Sequence, residues 1–204
     1  MILSPRVLLH KAGSSLFEIP EGYIALPQLP GTAFGDGSHP TTRLCAGVVD
    51  LLCRQQAPER FLDVGTGTGV LARIARARGA RFVAGTDIDP SAILAAQANA
   101  ALDSHPIQII IVNASPDHWG PIFNLVVANI LEDPLRDLAP SLTNALAPGG
   151  TLILSGFTRL QIPFLHVAYS SLGLTYVTEA HLEEWALMMF RRSTAIEPAP
   201  ILAR

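Results

Sequence analysis

The stretch that decides the fold is Phe61-Leu62-Asp63-Val64-Gly65-Thr66-Gly67-Thr68-Gly69, in which a short apolar segment runs into a turn with three glycines. The apolar segment is typical of a buried strand, and helical spacing of apolar residues continues to about Arg78. Glycines at a strand-to-helix turn let a ligand lie against bare backbone, and the helix N-terminus presents unpaired N–H groups. The pattern therefore predicts a βα unit with a ligand-binding turn.

Outward from this stretch, strands and helices alternate along the chain. A helix is expected from Thr41 onward, started by Ser38 and the Pro40 step, and Pro148-Gly149-Gly150 is a helix-stop signal. Continuous apolar runs favour parallel strands that are covered on both faces. The alternation predicts a doubly wound α/β domain. The further predicted strands are 82–87, 107–112, 125–128, 151–155, 174–179 and 185–191, and the further predicted helices are 90–102, 134–146 and 160–172.

Composition excludes several classes of protein. The 204 residues are 49% hydrophobic and 15% charged, which excludes disorder, and the net charge of −3 creates no field that favours nucleic acid. No apolar run is long enough to span a membrane, and Pro5 and Arg6 interrupt the N-terminal stretch where a signal peptide would need continuity. Cys45 and Cys53 lack metal-ligand spacing, so we expect small core residues, no metal site and a cytoplasmic protein. One local cluster of positive charge is interpreted as a solvated helix end: Arg73, Arg76, Arg78 and Arg81.

Two classes of ligand fit the glycine-rich turn. Dinucleotide-binding proteins favour G-x-G-x-x-G, whereas the glycines here stand at positions 65, 67 and 69 and position 70 is Val. This G-x-G-x-G spacing, with Asp63 two residues ahead, resembles motif I of the S-adenosylmethionine-dependent methyltransferases. In that family the turn accommodates the amino-acid end of the cofactor. A tight turn without a ligand is the alternative interpretation.

Polar residues end two of the predicted strands. Asp87 ends the strand that follows the glycine turn, where a carboxylate can accept both hydroxyls of a ribose. Its alternative role is a helix cap, for which Asp89 is better placed because it precedes Pro90. Asn129 follows another apolar run, and its amide oxygen can accept a hydrogen bond from a nucleophilic amine, although a turn residue is the alternative. A nicotinamide enzyme has no particular need of this asparagine.

A further segment, 32–42, carries a specific resemblance. Its sequence, Thr-Ala-Phe-Gly-Asp-Gly-Ser-His-Pro-Thr-Thr, resembles the F-G-x-G-x-H-x-T-T signature of the bacterial PrmA family, which methylates large-subunit ribosomal protein eleven. The resemblance covers about Gly31 to Arg191, and on it the chain is identified as a member of that family. The remaining matching motifs follow in order at 63–72, 87–90, 127–131, 148–150, 155–156 and 184–185.

The resemblance implies a seven-stranded Rossmann-like methyltransferase sheet, mostly parallel with an antiparallel last strand, with helices on both faces. It implies S-adenosylmethionine as cofactor, with Asp87 at the ribose, Ile88 at the adenine, and Asn129 and Leu131 beside the transferable methyl. Asn129 is the implied catalytic residue. The loop that closes over the cofactor is implied to contain Phe34, Gly35, His39, Thr41 and Thr42. The turn under its methionine end is implied to contain Asp63, Gly65 and Gly67.

Two departures from the family pattern affect substrate recognition. Asp36 stands where a small neutral residue is expected, and a carboxylate near the substrate mouth would favour a cationic amine or simply be solvated. The family's separate N-terminal recognition domain has no counterpart in the some thirty residues before the signature. We expect an N-terminal arm or lead-in strand at 1–30, the methyltransferase domain at 31–192 and a loose tail at 193–204. Low charge leaves room for an apolar docking face or a homodimer.

The leading hypothesis is a PrmA-like methyltransferase that acts on amino groups (a lysine or an N-terminal amine) of a ribosomal protein, without direct contact to nucleic acid or membrane. The first alternative is the same core acting on a small molecule or on a different protein. The second is a non-catalytic protein that binds S-adenosylmethionine. A nicotinamide oxidoreductase is disfavoured by the glycine spacing and by Asn129.

Overall fold

The computed structural model describes residues 1–14, 18–103, 105 and 108–194, and two sheets account for its strands. The strands are β1 (Ile2–Ser4), β2 (Val7–Lys11), β3 (Ile24–Gln28), β4 (Arg60–Val64), β5 (Phe82–Thr86), β6 (Ile109–Val112), β7 (Phe123–Asn129), β8 (Leu146–Thr158), β9 (Thr175–Leu182) and β10 (Trp185–Arg191). Seven strands form one sheet in the order β6-β5-β4-β7-β8-β10-β9. Strands β4 to β8 run parallel, and β10 is antiparallel to both neighbours. The predicted fold class is confirmed.

Helices cover both faces of this sheet. They are α1 (Pro40–Gln55), α2 (Val70–Ala77), α3 (Pro90–Ala101), α4 (Glu132–Asp137), α5 (Ala139–Ala145) and α6 (Ile162–Ser170), with 3-10 turns at Pro116–Trp119 and Arg159–Gln161. Successive residues of β7 point to opposite faces, so Val127 joins an apolar cluster with α1 and α2, whereas Val126 joins a second with α4, α5 and α6. The apolar run is thus explained by burial on both faces.

The first thirty residues contain a small sheet of their own, β1-β2-β3, where a single arm or lead-in strand is expected from the sequence. Strand β1 pairs antiparallel with β2, and β2 pairs parallel with β3. The apolar side chains of Leu3, Val7, Leu9 and Leu26 are buried in the same cluster as α1 and α2. The small sheet therefore shares one core with the large one. Most of the tail expected at 193–204 lies outside the described residues.

Three local predictions are wrong in detail. Helix α1 is capped by His39 instead of Ser38, since the His39 side chain accepts the hydrogen bond of the Thr41 amide. The single helix expected over 134–146 is two helices that meet at Leu138, because the ring of Pro140 cannot continue a helix. The expected helix stop at 148–150 lies inside β8, which already begins at Leu146 opposite Phe123.

The arginine cluster is mostly buried, so the prediction of a solvated helix end is wrong for three of its four members. Arg73 and Arg76 are almost inaccessible to solvent, and both form ion pairs with Asp103. Arg78 pairs with Asp50 in the same way, whereas Arg81 is exposed. Burial of these long side chains is possible because carboxylates neutralise them.

Two expectations from composition concern cysteines and membranes. Cys45 and Cys53 are unpaired and buried, and burial raises the pKa of the Cys53 thiol to about 12. Both are thus inert core residues. Within the described ranges, no helix has the length and apolar character needed to cross a bilayer, and no three His, Cys, Asp or Glu side chains are grouped as a metal site requires.

Candidate active site

A cavity of about 730 Å³ opens where the carboxyl ends of β4, β5, β6 and β7 meet, the edge at which open α/β sheets bind ligands. Eight residues predicted from the sequence line it: Phe34, His39, Gly65, Gly67, Asp87, Ile88, Asn129 and Leu131. The other four predicted residues, Gly35, Thr41, Thr42 and Asp63, do not line the cavity and are buried behind its wall.

The glycine turn has a steric reason for its composition. Gly67 adopts φ +54°, and a Cβ built on it would stand 2.2 Å from the carbonyl oxygen of Phe34. A Cβ on Gly65, at φ +71°, would stand 2.2 Å from the Ile130 side chain. Only glycine tolerates both the left-handed backbone and this close approach. Glycine is therefore required at these two positions, because Phe34 and Ile130 pack against the turn there.

Asp63 supports the turn from behind. Its Oδ2 accepts hydrogen bonds from the Thr66 hydroxyl at 2.8 Å and from the Ala72 amide at 3.2 Å, while Oδ1 has no partner within the described part of the chain. Burial raises the pKa of this carboxyl to about 7, although the bonds from Thr66 and Ala72 oppose the shift. Asp63 thus holds the turn in shape without reaching the cavity.

Asp87 reaches the cavity and is also tied to the turn. Its Oδ2 accepts the amide of Gly67 and its Oδ1 accepts the amide of Asp89, each at 3.0 Å. Asp89 caps α3 by accepting the Ser91 amide at 2.8 Å, which confirms that Asp89 is the cap. The Ile88 side chain beside them is 90% exposed. An apolar side chain and a carboxylate therefore stand together on one wall.

The wall next to Asp87 is formed by residues that carry no site signal in the sequence. Asn113, Ala114 and Ser115 directly follow β6, and all three line the cavity. They are small or polar residues of ordinary loop type. Their position after a third neighbouring parallel strand is the signal that would have identified them.

The loop before α1 closes the opposite wall. His39 lies between two aromatic rings, 5.2 Å from the Phe34 ring centroid and 4.5 Å from that of Trp185. Its Nδ1 is 2.7 Å from the Thr41 hydroxyl, so Thr41 orients the imidazole from behind. Trp185 is a lining residue to which sequence reasoning gave no role beyond its place in a matching motif.

Asn129 presents an unused hydrogen-bond acceptor. The residue is 8% exposed, and its buried Oδ1 has no hydrogen-bond partner among the residues that the structure describes. Buried amide oxygens are normally paired, so an unpaired one on a cavity wall suits a ligand that donates an N–H or O–H. Leu131 follows it and is 69% exposed. This end of the cavity combines one acceptor with apolar surroundings.

Asp36 does not line this cavity. Its carboxylate accepts hydrogen bonds from the Ser38 amide at 2.9 Å and hydroxyl at 2.6 Å, which lower its pKa. It lines a separate cavity of about 650 Å³ together with His10 and Lys11. Its role is to shape the turn before α1.

The strand order and the ligand-binding edge of the large sheet define the Rossmann-like methyltransferase fold. The family profile described as "Ribosomal protein L11 methyltransferase (PrmA)" matches residues 17–193. The chain therefore belongs to the ribosomal protein L11 methyltransferase family, as the resemblance in the sequence implies.

Individual relatives agree with this assignment. The chain is 42% identical to a ribosomal protein L11 methyltransferase of Geobacter sulfurreducens, over 79% of this chain and 52% of the relative. It is 40% identical to that of Bradyrhizobium diazoefficiens, over 78% and 56%. The crystal structure of ribosomal protein L11 methylase from Lactobacillus delbrueckii subsp. bulgaricus superimposes with a TM-score of 0.84 at 30% identity, covering 94% of this chain and 97% of that one. The chain spans about half the length of the curated relatives it matches.

Proposed function

We propose that this chain transfers methyl groups from S-adenosylmethionine to amino groups of ribosomal protein L11, in the cytoplasm. The observation that carries the proposal is that one cavity contains the carboxylate of Asp87 at one end and the unpaired oxygen of Asn129 at the other. The first suits a nucleoside and the second suits an amine. The names of the relatives, which are ribosomal protein L11 methyltransferases, suggest L11 as the protein acceptor.

The residues present fit S-adenosylmethionine. Each carboxylate oxygen of Asp87 accepts one backbone amide, so each retains a lone pair for a ribose hydroxyl. Ile88 offers exposed apolar surface for the adenine. Gly65 and Gly67 offer bare backbone for the methionine end. Four residues would thus hold the whole cofactor along one edge of the sheet.

The chain's own contribution to the reaction is alignment and removal of water. The cofactor supplies a methyl group that its sulfonium already activates. A lysine of pKa about 10.4 must lose a proton first, at a cost of roughly 4.6 kcal/mol at pH 7. The apolar surroundings of Leu131 and Trp185 disfavour the ammonium form, and Asn129 Oδ1 accepts one N–H of the neutral amine. That hydrogen bond fixes the direction of the nitrogen lone pair, and the proton leaves to water.

The acceptor can be identified with radiolabelled S-adenosylmethionine, purified L11, the other ribosomal proteins and a whole-cell extract. Asn129→Ala is the test variant, and Asn124→Ala is the matched control, because Asn124 only accepts the Arg60 amide at the opposite end of the sheet. Label in L11 with the wild type and the control, but not with Asn129→Ala, supports the proposal. Label in another protein or a small molecule contradicts the acceptor, and tight binding without any transfer contradicts the enzymatic role.

A further inference from the structure

Helix α3 carries one polar residue on its buried face. The buried positions of this helix are Ala92, Ala96 and Asn99, which lie one above another at helical spacing. Ala96 packs against the turn, because a Cβ on Gly69 would stand 3.1 Å from the Ala96 Cβ. Asn99 is 2% exposed and lies one turn further along the same face. Its amide therefore meets the backbone next to the glycine turn.

The Asn99 amide makes two hydrogen bonds to segments far apart in the sequence. Its Nδ2 donates to the carbonyl oxygen of Thr68 at 3.0 Å, and its Oδ1 accepts the amide of Leu29 at 2.9 Å. Thr68 belongs to the glycine turn, and Leu29 directly follows β3. One side chain thus joins the turn to the segment that leads into the cofactor loop.

Thr68 is in turn hydrogen-bonded to the Phe34–Gly35 loop. Its amide donates to the carbonyl oxygen of Phe34 at 2.8 Å, and its hydroxyl donates to that of Gly35 at 2.7 Å. With the bond from Asn99, every polar group of Thr68 is in use. Phe34 lines the cavity. The position of the cavity wall is therefore set through Thr68 by Asn99.

We propose that Asn99 is a positioning residue of the cofactor site, although it does not line the cavity. It fixes the Thr68 carbonyl and the Leu29 amide, so that the Phe34–Gly35 loop rests on the glycine turn in a binding-competent position. The lead-in segment has a separate anchor, since Arg73 donates to the carbonyl oxygen of Pro27. Loss of the Asn99 amide should thus loosen the loop without detaching β3. The inference rests on the proposed binding of S-adenosylmethionine.

The variant Asn99→Asp separates positioning from a merely structural role. As a carboxylate it still accepts the Leu29 amide, but it repels the Thr68 carbonyl oxygen. Burial raises the pKa of such a carboxyl, so lowering the pH favours the protonated form, which can donate to Thr68 again. We expect S-adenosylhomocysteine to bind Asn99→Asp roughly 10- to 100-fold more weakly than wild type at about pH 8. Near pH 5.5 the ratio should fall to within about threefold.

Titratable groups around Asn99 are common to wild type and variant. Asp103 follows the end of α3 and pairs with Arg73 of α2, and His10, Lys11 and Asp36 line the adjoining cavity together with Asn99. The dissociation constant of the variant is therefore divided by that of wild type at the same pH, which removes the direct effect of these groups on ligand binding. Asn124→Asp is the matched control for a new carboxylate, and it should bind like wild type at both pH values.

Equal affinity of Asn99→Asp and wild type at pH 8 would overturn the inference. So would an affinity that stays weak at both pH values together with a lowered melting temperature, because that pattern describes a structural role. If Asn99→Asp does not fold, Asn99→Ala replaces it. We expect Asn99→Ala to bind S-adenosylhomocysteine more weakly than wild type at both pH values, while its kcat at saturating cofactor stays within about twofold of wild type. Wild-type affinity of Asn99→Ala overturns the inference, whereas a wild type that binds no S-adenosylhomocysteine overturns the proposed function itself.

Discussion

Replacement of Asp87 by alanine tests the nucleoside end of the cavity. The carboxylate accepts two backbone amides at 3.0 Å and retains two lone pairs for ribose hydroxyls. A hydrogen bond to a charged group contributes about 1.5–3 kcal/mol. Loss of one such bond should raise the dissociation constant roughly 10- to 150-fold. Because the substitution also leaves the Gly67 amide without its acceptor, we expect an effect toward the upper end of this range.

The assay is isothermal titration calorimetry with S-adenosylhomocysteine. Glu59→Ala is the matched control, because Glu59 is an exposed acidic residue next to the opposite end of β4, paired only with exposed Arg81. It should bind like wild type. Asp87→Asn, which retains one acceptor oxygen, should lie between wild type and Asp87→Ala. An unchanged affinity of Asp87→Ala, or an equal loss in Glu59→Ala, would refute the assignment of Asp87 to the ribose.

Three further perturbations test other parts of the site. Asn129→Ala should lower kcat for methyl transfer by roughly 10- to 100-fold, with cofactor affinity changed much less in calorimetry, because its unpaired oxygen is proposed to bind the acceptor amine and not the cofactor. The folded-state pKa of Asp63, about 7, lies above its ordinary 3.8, so the folded protein binds more protons and its free energy of unfolding falls as the pH rises between these values. The fall is on the order of 4 kcal/mol and should be absent from urea unfolding of Asp63→Asn. Gly67→Ala should destabilise the protein in urea by more than Gly173→Ala, at the turn that ends α6. Both residues have a positive φ, which costs an alanine about 1–2 kcal/mol, but only Gly67 meets Phe34.

The contrary results are specific to each variant. Equal losses of kcat and cofactor affinity in Asn129→Ala would make Asn129 a structural turn residue. An Asp63→Asn protein with the same pH dependence as wild type would show that the carboxyl does not titrate near neutrality. Equal destabilisation by the two alanines would mean that the loop moves away from Gly67 freely.

The residues that could be predicted from the sequence are those whose type is unusual for their place. Asp87 and Asn129 are polar residues at the ends of apolar strands, and parallel strands bring such ends together. Gly65 and Gly67 were recognisable because only glycine accepts the turn. The continuous apolar runs predict the sheet, since a strand that is buried on both faces needs apolar residues at successive positions.

The rest could not be predicted because it depends on packing between distant segments. Ser115 and Trp185 are ordinary in their local sequence and acquire a role only where β6 ends and β10 begins. From the sequence Arg73 is interpreted as a surface residue, because its ion pair with Asp103 becomes visible only in the structure. Gly35 and Thr41 match the family signature, yet the structure places them behind the cavity wall, where they support His39 and the loop.

Amide hydrogen exchange with and without S-adenosylhomocysteine tests most directly the claim that this cavity is the cofactor site. Bound ligand should slow exchange in the segments that line it, at 32–39, 64–69, 86–92 and 113–116. The 55–59 segment at the opposite end of the sheet should exchange as before. Protection confined to the other cavity around His10 and Lys11, or no protection under saturating ligand, would contradict the account.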